Sequence, residues 1–396
     1  MQPMDLNKYS LAVLSAACAC LALVGCEETV YPVPTESYSS IGGFEITRVG
    51  DEDPGPYSVG DAEGDPEWGF WLPYSIAVDS AGDLLVTNIR GGYLERFIPN
   101  PDGGAVWDAY WIWPRGRQDA TYQLFIESCP DTTFGDKLVL VSESQSETGP
   151  AGFEQGKQVQ KLELPDPVFD IPGDNRPHYT QITQADILTG YPTTSQPGPV
   201  AYFQTDKIVY TDVALSYLFH IEGDNVMAEG GGEGDQEGKF YRPLGICVTP
   251  DETVVVTDTY NHRLQTFTLE PAPTDPDDTD YDPLYVYPKI FRYQRTIGGF
   301  GFHNGQFSAP FGVAADASGN IYICDTRNAR IQKFSSEGEL LAVIYGSGYW
   351  RLRCPLDLAV TEDGDLWVVD AFLWYEPWEE EYVPQDQARI ILFRQD

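Results

Sequence analysis

Basic side chains are scarce in this chain. Its 396 residues include 24 Lys and Arg against 61 Asp and Glu, which gives a formal net charge of −37 at pH 7. Nucleic-acid binding depends on clustered Lys and Arg that displace counterions from phosphates. Nucleic acid is therefore excluded as an expected partner. An acidic excess of this kind favours high solubility and leaves calcium or a basic partner open.

Side chains that commonly bind transition metals are also few. The chain has four histidines and seven cysteines, and no CxxC pair. A zinc site needs several such ligands converging in space. We expect only His262 and His303 to approach the same face, which disfavours a histidine-based zinc centre. The sequence also lacks a GxSxG nucleophile motif and a Gly-rich phosphate loop, so no residue is assigned a catalytic role.

The N-terminus contains an apolar stretch, Leu11–Val24, preceded by Lys8. It is shorter than the about 20 residues needed to span a bilayer, so we interpret residues 1–25 as a signal peptide. The stretch ends in Leu23-Val24-Gly25-Cys26, which resembles a bacterial lipobox. This resemblance implies that Cys26 is lipidated and anchors the protein in a membrane. Residues 26–43 then form a flexible tether, and Glu27, rather than Asp, favours the outer membrane of the cell envelope.

Turn residues and an internal repeat are abundant. The chain has 38 Gly and 30 Pro, and residues 238–267 align without a gap with residues 305–334. Each copy places an acidic residue fifteen positions after a proline, and three further segments keep this spacing with Asp or Asn. The pairs are Pro73/Asn88, Pro197/Asp212, Pro243/Asp258, Pro310/Asp325 and Pro355/Asp370. A unit repeated in this way predicts a repeat architecture.

Each repeat unit is predicted to contain four short strands separated by Gly-containing turns. We therefore expect an all-β protein, with residues 44–396 forming a six-bladed β-propeller of four-stranded blades. The last blade has only three strands before the chain ends. The N-terminal strand, predicted over Phe44–Gly50, should supply the fourth and remove an exposed sheet edge.

The segments Asp258-Thr-Tyr-Asn261-His-Arg263 and Asp325-Thr-Arg-Asn328-Ala-Arg330 resemble the signature of NHL repeats. The chain as a whole resembles a bacterial NHL-repeat β-propeller lipoprotein. In these segments we expect Asp and Asn to bond to the turn backbone and Arg to pair with a nearby carboxylate. Because the segments repeat, their role is predicted to be structural.

Four cysteines remain in the oxidising compartment that the resemblance implies: Cys129, Cys247, Cys324 and Cys354. Cys324 ends one strand, and Cys354 precedes the first strand of the next blade. Both should lie on the same face, so a disulfide between them is one interpretation. Buried free thiols are the alternative.

The segments that do not repeat carry the prediction of ligand binding. Connectors between blades and loops after second strands should share one face of the disc, at the channel mouth. The loop between Ala371 and Gln385 interleaves aromatic and acidic residues and predicts a surface for a basic peptide or a sugar, and the connectors add aromatic and basic residues to the same face. A protein or peptide is therefore the expected ligand class, with a glycan next. The candidates are Tyr241, Arg242, His303, Trp350, Arg351, Trp374 and Trp378. A loop folded over the channel is the alternative for the aromatic-acidic segment that contains Trp374 and Trp378.

A non-enzymatic binding or scaffold module, monomeric and without a cofactor, is thus the favoured function. The alternative is a gluconolactonase-like hydrolase or a lyase, in which Ca²⁺ or Zn²⁺ at the channel mouth polarises the substrate. The second long insertion, from Glu270 to Pro288, is rich in Asp and Pro and is predicted to be a solvated loop, with calcium binding as a weaker alternative.

Overall fold

The computed structural model describes residues 31–46, 73–88, 93–112, 121–129, 137–144, 156–163, 178–181, 186–187, 197–204, 207–223, 225–277, 282–371 and 388–396. Cys26, Trp374 and Trp378 lie outside these ranges, as do residues 1–25. Strands and turns dominate the described part of the chain. Within it, no helix is long and apolar enough to cross a membrane.

The strands alternate with short turns along the chain. They are β1 (Tyr38–Ile46), β2 (Pro73–Val78), β3 (Leu84–Asn88), β4 (Tyr93–Pro99), β5 (Ala105–Ile112), β6 (Thr121–Cys129), β7 (Lys137–Ser144), β8 (Gly156–Glu163), β9 (His178–Gln181), β10 (Asp186–Ile187), β11 (Pro197–Gln204), β12 (Lys207–Asp212), β13 (Tyr217–Glu222), β14 (Asn225–Gly231), β15 (Pro243–Val248), β16 (Val254–Asp258), β17 (Arg263–Pro271), β18 (Lys289–Ile297), β19 (Pro310–Ala315), β20 (Ile321–Asp325), β21 (Arg330–Phe334), β22 (Leu340–Ile344), β23 (Pro355–Val360), β24 (Leu366–Ala371) and β25 (Ala388–Gln395). Short 3₁₀ turns cover Thr259–Asn261, Thr326–Asn328 and Gly348–Trp350.

The prediction of six four-stranded blades is wrong. The structure is a β-propeller in which five blades have four strands each, namely β6-β7-β8-β10, β11 to β14, β15 to β18, β19 to β22, and β23-β24-β25-β1. The sheet that begins with β2 differs because it has five strands, in the order β2-β3-β4-β5-β9. Its extra strand, β9, follows β8 in the chain and pairs in parallel with the edge strand β5. An unpaired edge accepts such a strand readily.

The N-terminal strand completes the last blade, as predicted. β1 pairs antiparallel with β25 from Tyr38, opposite Gln395, to Ile46, opposite Ala388. The strand begins earlier than the predicted Phe44, so part of the segment interpreted as a tether belongs to the sheet. Pairing the two ends of the chain covers the edge of the last blade.

The first strand of each blade lies at the centre of the disc. β2, β6, β11, β15, β19 and β23 contact one another in that order, and β23 contacts β2. The second strands β16, β20 and β24 are buried along their whole length. Their apolar side chains pack between neighbouring blades, as in the cluster that joins Val255 and Leu264 to Ile321 and Ile323. Strands buried on both sides are expected to be almost entirely apolar.

The disc has two distinct faces. The turn face carries the reverse turns between first and second strands, such as 79–83, 249–253, 316–320 and 361–365, and those between third and fourth strands, such as 335–339. The connector face carries the segments that join one blade to the next, 232–242, 298–309 and 345–354, together with the 3₁₀ turns that follow β16 and β20. The predicted binding residues that the structure describes, Tyr241, Arg242, His303, Trp350 and Arg351, belong to the connector face.

Candidate binding surface

A buried acid-base pair recurs beneath the connector face. Asp258, Asp325 and Asp370 end the second strands β16, β20 and β24, and an arginine lies directly opposite each in the neighbouring strand. The distance from the arginine Nε to the aspartate Oδ2 is 2.8 Å for Arg263–Asp258 and 2.7 Å for Arg330–Asp325. Arg389 contacts Asp370 Oδ2 through Nη2 instead. The predicted pairing of the repeat arginine with a carboxylate is therefore confirmed.

These pairs hold the connectors in place. In the blade of β19 to β22, Asp325 Oδ1 accepts the Ser308 N–H at 2.7 Å, and Asn328 Nδ2 donates to the Gly301 carbonyl at 2.9 Å. Arg330 Nη2 donates to the carbonyls of His303 and Gln306 at 2.8 and 2.9 Å. Burial raises the pKa of Asp325, and the bonds from Ser308, Asn328 and Arg330 oppose that rise.

The preceding blade repeats these bonds with its own residues. Asp258 Oδ1 accepts the Tyr241 N–H at 2.7 Å, Asn261 Nδ2 donates to Gly234 O at 2.8 Å, and Arg263 Nη2 donates to Gln236 O at 2.7 Å. Every bond joins a buried side chain to the main chain of a connector. Fully satisfied polar networks of this kind fix the backbone that they bind.

The fixed connectors present aromatic rings to solvent. Phe300 and Phe302 are 61% and 69% exposed, and Tyr241, Tyr345 and Tyr349 are also exposed. Phe300 contacts the His262 ring at 4.8 Å and the Phe302 ring at 5.8 Å, measured between centroids. His262 is itself held, because its Nδ1 accepts the Ala309 N–H at 3.0 Å. A grouped apolar surface of this kind marks an interaction site.

The structure groups four of the predicted binding residues into two pairs. Tyr241 packs on Tyr260 with ring centroids 5.5 Å apart, and the Arg242 guanidinium lies 5.9 Å from the Tyr260 ring. Trp350 and Arg351 lie together on the connector 345–354. Trp350 is half-buried because its ring packs against β1, where a Cβ at Gly43 would come within 2.9 Å of it.

His303 lies exposed on the connector 298–309, close in sequence to Phe302. His303 joins the repeated network through its main-chain carbonyl, which accepts a hydrogen bond from Arg330. The remaining candidates, Trp374 and Trp378, fall outside the described residues.

The described part of the connector face also carries positive charge. Arg327, Arg351 and Arg353 are exposed there, and Arg242 is half-buried. Burial lowers the pKa of His262, and the charge of Arg327 lowers it further. The connector 232–242, which carries Arg242, also exposes the acidic residues Glu233, Asp235 and Glu237.

A central cavity of about 430 Å³ lies among the first strands. Its described lining includes no Lys, Arg or His. Of its four carboxylates, Asp79, Glu362 and Asp363 belong to the turns, and Asp357 lies on the first strand β23. Asp357 Oδ2 accepts the Ser75 hydroxyl at 2.5 Å and the Ile76 N–H at 3.1 Å, which joins the last blade to the first. Burial raises the pKa of Asp357 to about 6.

The described residues contain neither the considered disulfide nor a metal cluster. Cys247, Cys324 and Cys354 form no disulfide, and burial raises the pKa of the Cys324 thiol. The disulfide interpretation is therefore replaced by its alternative for Cys324, which is buried as an apolar strand residue. Across the described ranges, no group of three or more His, Cys, Asp and Glu is arranged to hold a metal ion.

The sequence prediction missed Phe300, Phe302 and Asp357. Phe300 and Phe302 alternate with glycines in a connector that has no partner strand, so the sequence offered no place to bury them. Asp357 occupies the strand position where the two gap-free repeats have Gly245 and Gly312. A departure from the repeat was thus the signal that could have identified it.

Comparison with known proteins agrees with this geometry. The NHL repeat family matches residues 240–267 and 307–334. These segments contain the Asp-Asn-Arg network of two successive blades. The chain is a β-propeller that contains NHL repeats in two successive blades. The NHL-type signature thus coincides with the residues that fix the connectors rather than with those that the connectors expose.

Curated relatives match one short segment of this propeller. B-box type zinc finger protein ncl-1 of Caenorhabditis elegans and Protein brain tumor of Drosophila melanogaster are each 48% identical over 46 residues, 12% of this chain. The matched segment spans only 5% and 4% of those proteins, respectively.

Solved structures resemble the propeller over most of its length. The PQQ-bound aldose sugar dehydrogenase from Streptomyces coelicolor aligns with 92% of this chain and 100% of its own, at 15% identity and a TM-score of 0.51. A protein of unknown function from Bacteroides thetaiotaomicron aligns with 92% of this chain and 83% of its own, at 11% identity and a TM-score of 0.51. Such low identity shows the fold alone.

Proposed function

We propose that this propeller is a binding module of the bacterial cell envelope, anchored through a lipid on Cys26, and that its connector face binds a protein or peptide. A glycan is the next ligand class. The observation that carries the proposal is the pair Phe300 and Phe302, which remain exposed on a connector that buried side chains hold rigid.

A connector that is held rigid while it exposes aromatic side chains favours a binding role over that of a solvated loop. A surface whose main chain is already fixed loses little conformational freedom when a partner docks. Aromatic and arginine side chains are also the types that dominate binding energy at interfaces. Because Arg327, Arg351 and Arg353 lie among the exposed rings, the partner that fits best presents carboxylates, to which arginine donates two parallel hydrogen bonds.

The anchoring half of the proposal is supported by the sequence Leu23-Val24-Gly25-Cys26 and the apolar stretch before it. A lipid on Cys26 would hold the propeller at a membrane surface, with the outer membrane favoured by Glu27. Mass spectrometry of the protein extracted from membranes would test this directly. A lipid mass on the Cys26 peptide is expected, and an unmodified cysteine or an uncut leader would contradict it.

Replacing Phe300 and Phe302 with alanine tests the proposal that the connector face binds a protein or peptide. The full chain in detergent would be titrated against arrays of acidic peptides, basic peptides and glycans. Acidic peptides should bind best, and the double variant should lose about 2 kcal/mol, roughly thirtyfold in affinity. Its melting temperature should barely change because both rings are largely exposed.

The matched control is Leu284→Ala with Val286→Ala, which removes two equally exposed apolar side chains from the turn face. This control should bind like the unaltered chain. Unchanged affinity in the Phe300 and Phe302 variant, or a large loss of its stability, would refute a binding role for these rings.

A metal-dependent hydrolase or lyase is the second candidate, and Asp357 is the observation that favours it. This carboxylate lies deep in the central cavity at a position where sister blades have glycine. The described lining offers it no histidine partner, so further ligands would have to come from outside the described residues. Elemental analysis of the chain purified without chelator tests this candidate. Stoichiometric Ca²⁺ or Zn²⁺ that disappears in Asp357→Asn would favour catalysis over simple binding.

A further inference from the structure

The insertion between β17 and β18 forms a structured projection from the turn face. β17 and β18 stay paired as far as Pro271, which lies opposite Lys289. The neighbouring strand β16 reaches only as far as Val254, which lies opposite Phe267 of β17, so the β17–β18 pair projects beyond it. The Ala272 N–H then donates to the Pro288 carbonyl at 2.9 Å. Residues 282–288 are mostly exposed, as predicted for a solvated loop, but Tyr285 docks on the neighbouring blade.

Tyr285 fastens the projection to that blade. Its hydroxyl accepts the Glu229 N–H at 3.1 Å and lies 2.9 and 2.7 Å from the carbonyl oxygens of Glu229 and Lys289. Lys289 Nζ contacts Glu222 Oε1 at 2.5 Å. Burial raises the pKa of Tyr285 to about 12, so the hydroxyl keeps its proton and can donate. These bonds hold the Tyr285 side chain against the neighbouring blade.

The two residues that flank Tyr285 are left in solvent. Leu284 is 84% exposed and Val286 is 82% exposed, more than any other large apolar side chain in the described ranges. Leu284 lies in a reverse turn that the Tyr285 N–H closes by donating to the Asp282 carbonyl at 3.1 Å. Tyr287 packs edge-on against the Tyr285 ring, with centroids 5.5 Å apart. The result is a fixed apolar tip bordered by tyrosines.

The N-terminal segment reaches the propeller on the same face. The N–H groups of Thr35 and Glu36 donate to Leu341 O at 2.8 Å, and Glu36 pairs with the buried Lys333 at 2.6 Å. Leu341 lies immediately beyond the reverse turn 335–339, which belongs to the turn face. Eight residues lie between Cys26 and Thr35, a length of chain that spans at most about 30 Å when fully extended.

We propose that Leu284 and Val286 insert into the interfacial region of the membrane that holds the Cys26 lipid. This rests on the proposed anchoring. The turn face then lies against the bilayer and the connector face points away from it. Burial of two such side chains contributes at most about 1.5–3 kcal/mol each, too little for binding without an anchor. A lipid anchor holds Leu284 and Val286 near the membrane at an effective concentration of about millimolar. A weak contact between these side chains and the membrane is then enough to orient the propeller.

The charge of the β17–β18 projection favours one kind of lipid headgroup. Asp275, Asp277 and Asp282 lie on the same projection. Anionic headgroups would repel these carboxylates, whereas zwitterionic headgroups would not. Tyrosine rings such as Tyr285 and Tyr287 are favoured at the level of the headgroups. The tip thus fits a zwitterionic lipid surface.

The test uses the full lipidated chain in phosphatidylcholine vesicles. A solvatochromic amino acid is encoded in place of Val286, or, as matched exposed controls, in place of Ser318 on the turn face or Arg327 on the connector face. Brominated lipids, which quench only probes that reach the acyl region, should quench the probe at 286 at least twofold and leave the controls unchanged. Leu284→Asp should abolish the quenching at 286 without unfolding the protein, because Leu284 is exposed.

The outcomes separate this inference from the proposal on which it rests. If mass spectrometry finds the lipid on Cys26 but the probe at 286 is not quenched, the membrane contact is refuted and anchoring stands. If Cys26 carries no lipid, both fail. Equal quenching at 286 and 327 would also refute the inference, because it would mean that the disc has no fixed orientation.

Discussion

At the scale of single residues, the first strands of the propeller depend on small side chains where neighbouring strands approach closely. A Cβ at Gly312 would come 2.7 Å from Asp357 Cα, and one at Gly245 would come 2.2 Å from Phe311 O. Glycine is therefore required at both positions. Asp357 takes the equivalent position in the last blade because its neighbour there is the first blade, where Ser75 and Ile76 donate to it.

The buried carboxylate of Asp357 makes stability depend on pH. Its pKa in the folded protein is about 6, above the ordinary value of 3.8. The folded state therefore binds the Asp357 proton more tightly than the unfolded state does. The free energy of unfolding gained in this way is fully present below about pH 3.8, and it is lost as the pH rises through 6. His220 acts in the opposite direction, because burial lowers its pKa to about 4.

Asp357→Asn isolates the carboxylate contribution. Asparagine keeps an acceptor for Ser75 and Ile76 but carries no charge, so the variant should match the unaltered chain near pH 4. At pH 7.5 it should be more stable, by up to about 3 kcal/mol for a shift of roughly two pKa units. Urea unfolding at both pH values measures this difference. A difference independent of pH, or a less stable variant at pH 7.5, would contradict this assignment.

At the scale of elements, the Asp-Asn-Arg network is the part of the surface that the sequence predicted best. Its residues recur at fixed spacing, so one copy predicts the other. The residues that the network displays follow no such rule. Phe300 and Phe302 are exposed because their connector is bound from beneath through Gly301, His303 and Gln306, and only the three-dimensional structure shows these bonds.

Arg330→Met tests whether the network controls the connector. The change leaves Asp325 buried without its cation and removes the Arg330 donor from the His303 carbonyl, whereas the Gln306 carbonyl keeps its bond from Gln332. This should cost about 3–5 kcal/mol. Hydrogen exchange at residues 299–308 should accelerate more than exchange in β16 and β17 of the preceding blade. Adding Asp325→Asn should recover part of the stability by removing the unpaired charge. Equal acceleration throughout the propeller would show that the arginine supports the whole fold and has no local role.

At the scale of the whole molecule, periodicity predicted the all-β propeller and the closure of its last blade by the N-terminal strand. It did not predict the strand count of every sheet. β9 pairs in parallel with β5 although no repeat signature marks it, since it arises from an insertion that occupies a free edge. Edge pairing is set by which segment can reach the edge, and sequence periodicity carries no information about that.

The two faces of the disc expose different kinds of residue. The connector face displays fixed aromatic rings among arginines in a chain whose net charge is −37. The turn face receives the N-terminal segment and carries the apolar tip at Leu284 and Val286. An anchored propeller arranged in this way would present the connector face to partners in the surrounding compartment.

The most direct test of that account is photo-crosslinking in the living cell. A photoreactive amino acid is encoded in place of Phe302 on the connector face, or in place of Leu284 on the turn face as the matched exposed control. The account predicts a discrete protein or glycan adduct from position 302 that is absent from position 284 and is lost when Phe300 is also replaced by alanine. No adduct at 302, or the same adduct from both positions, would contradict the central claim that the connector face is the binding surface.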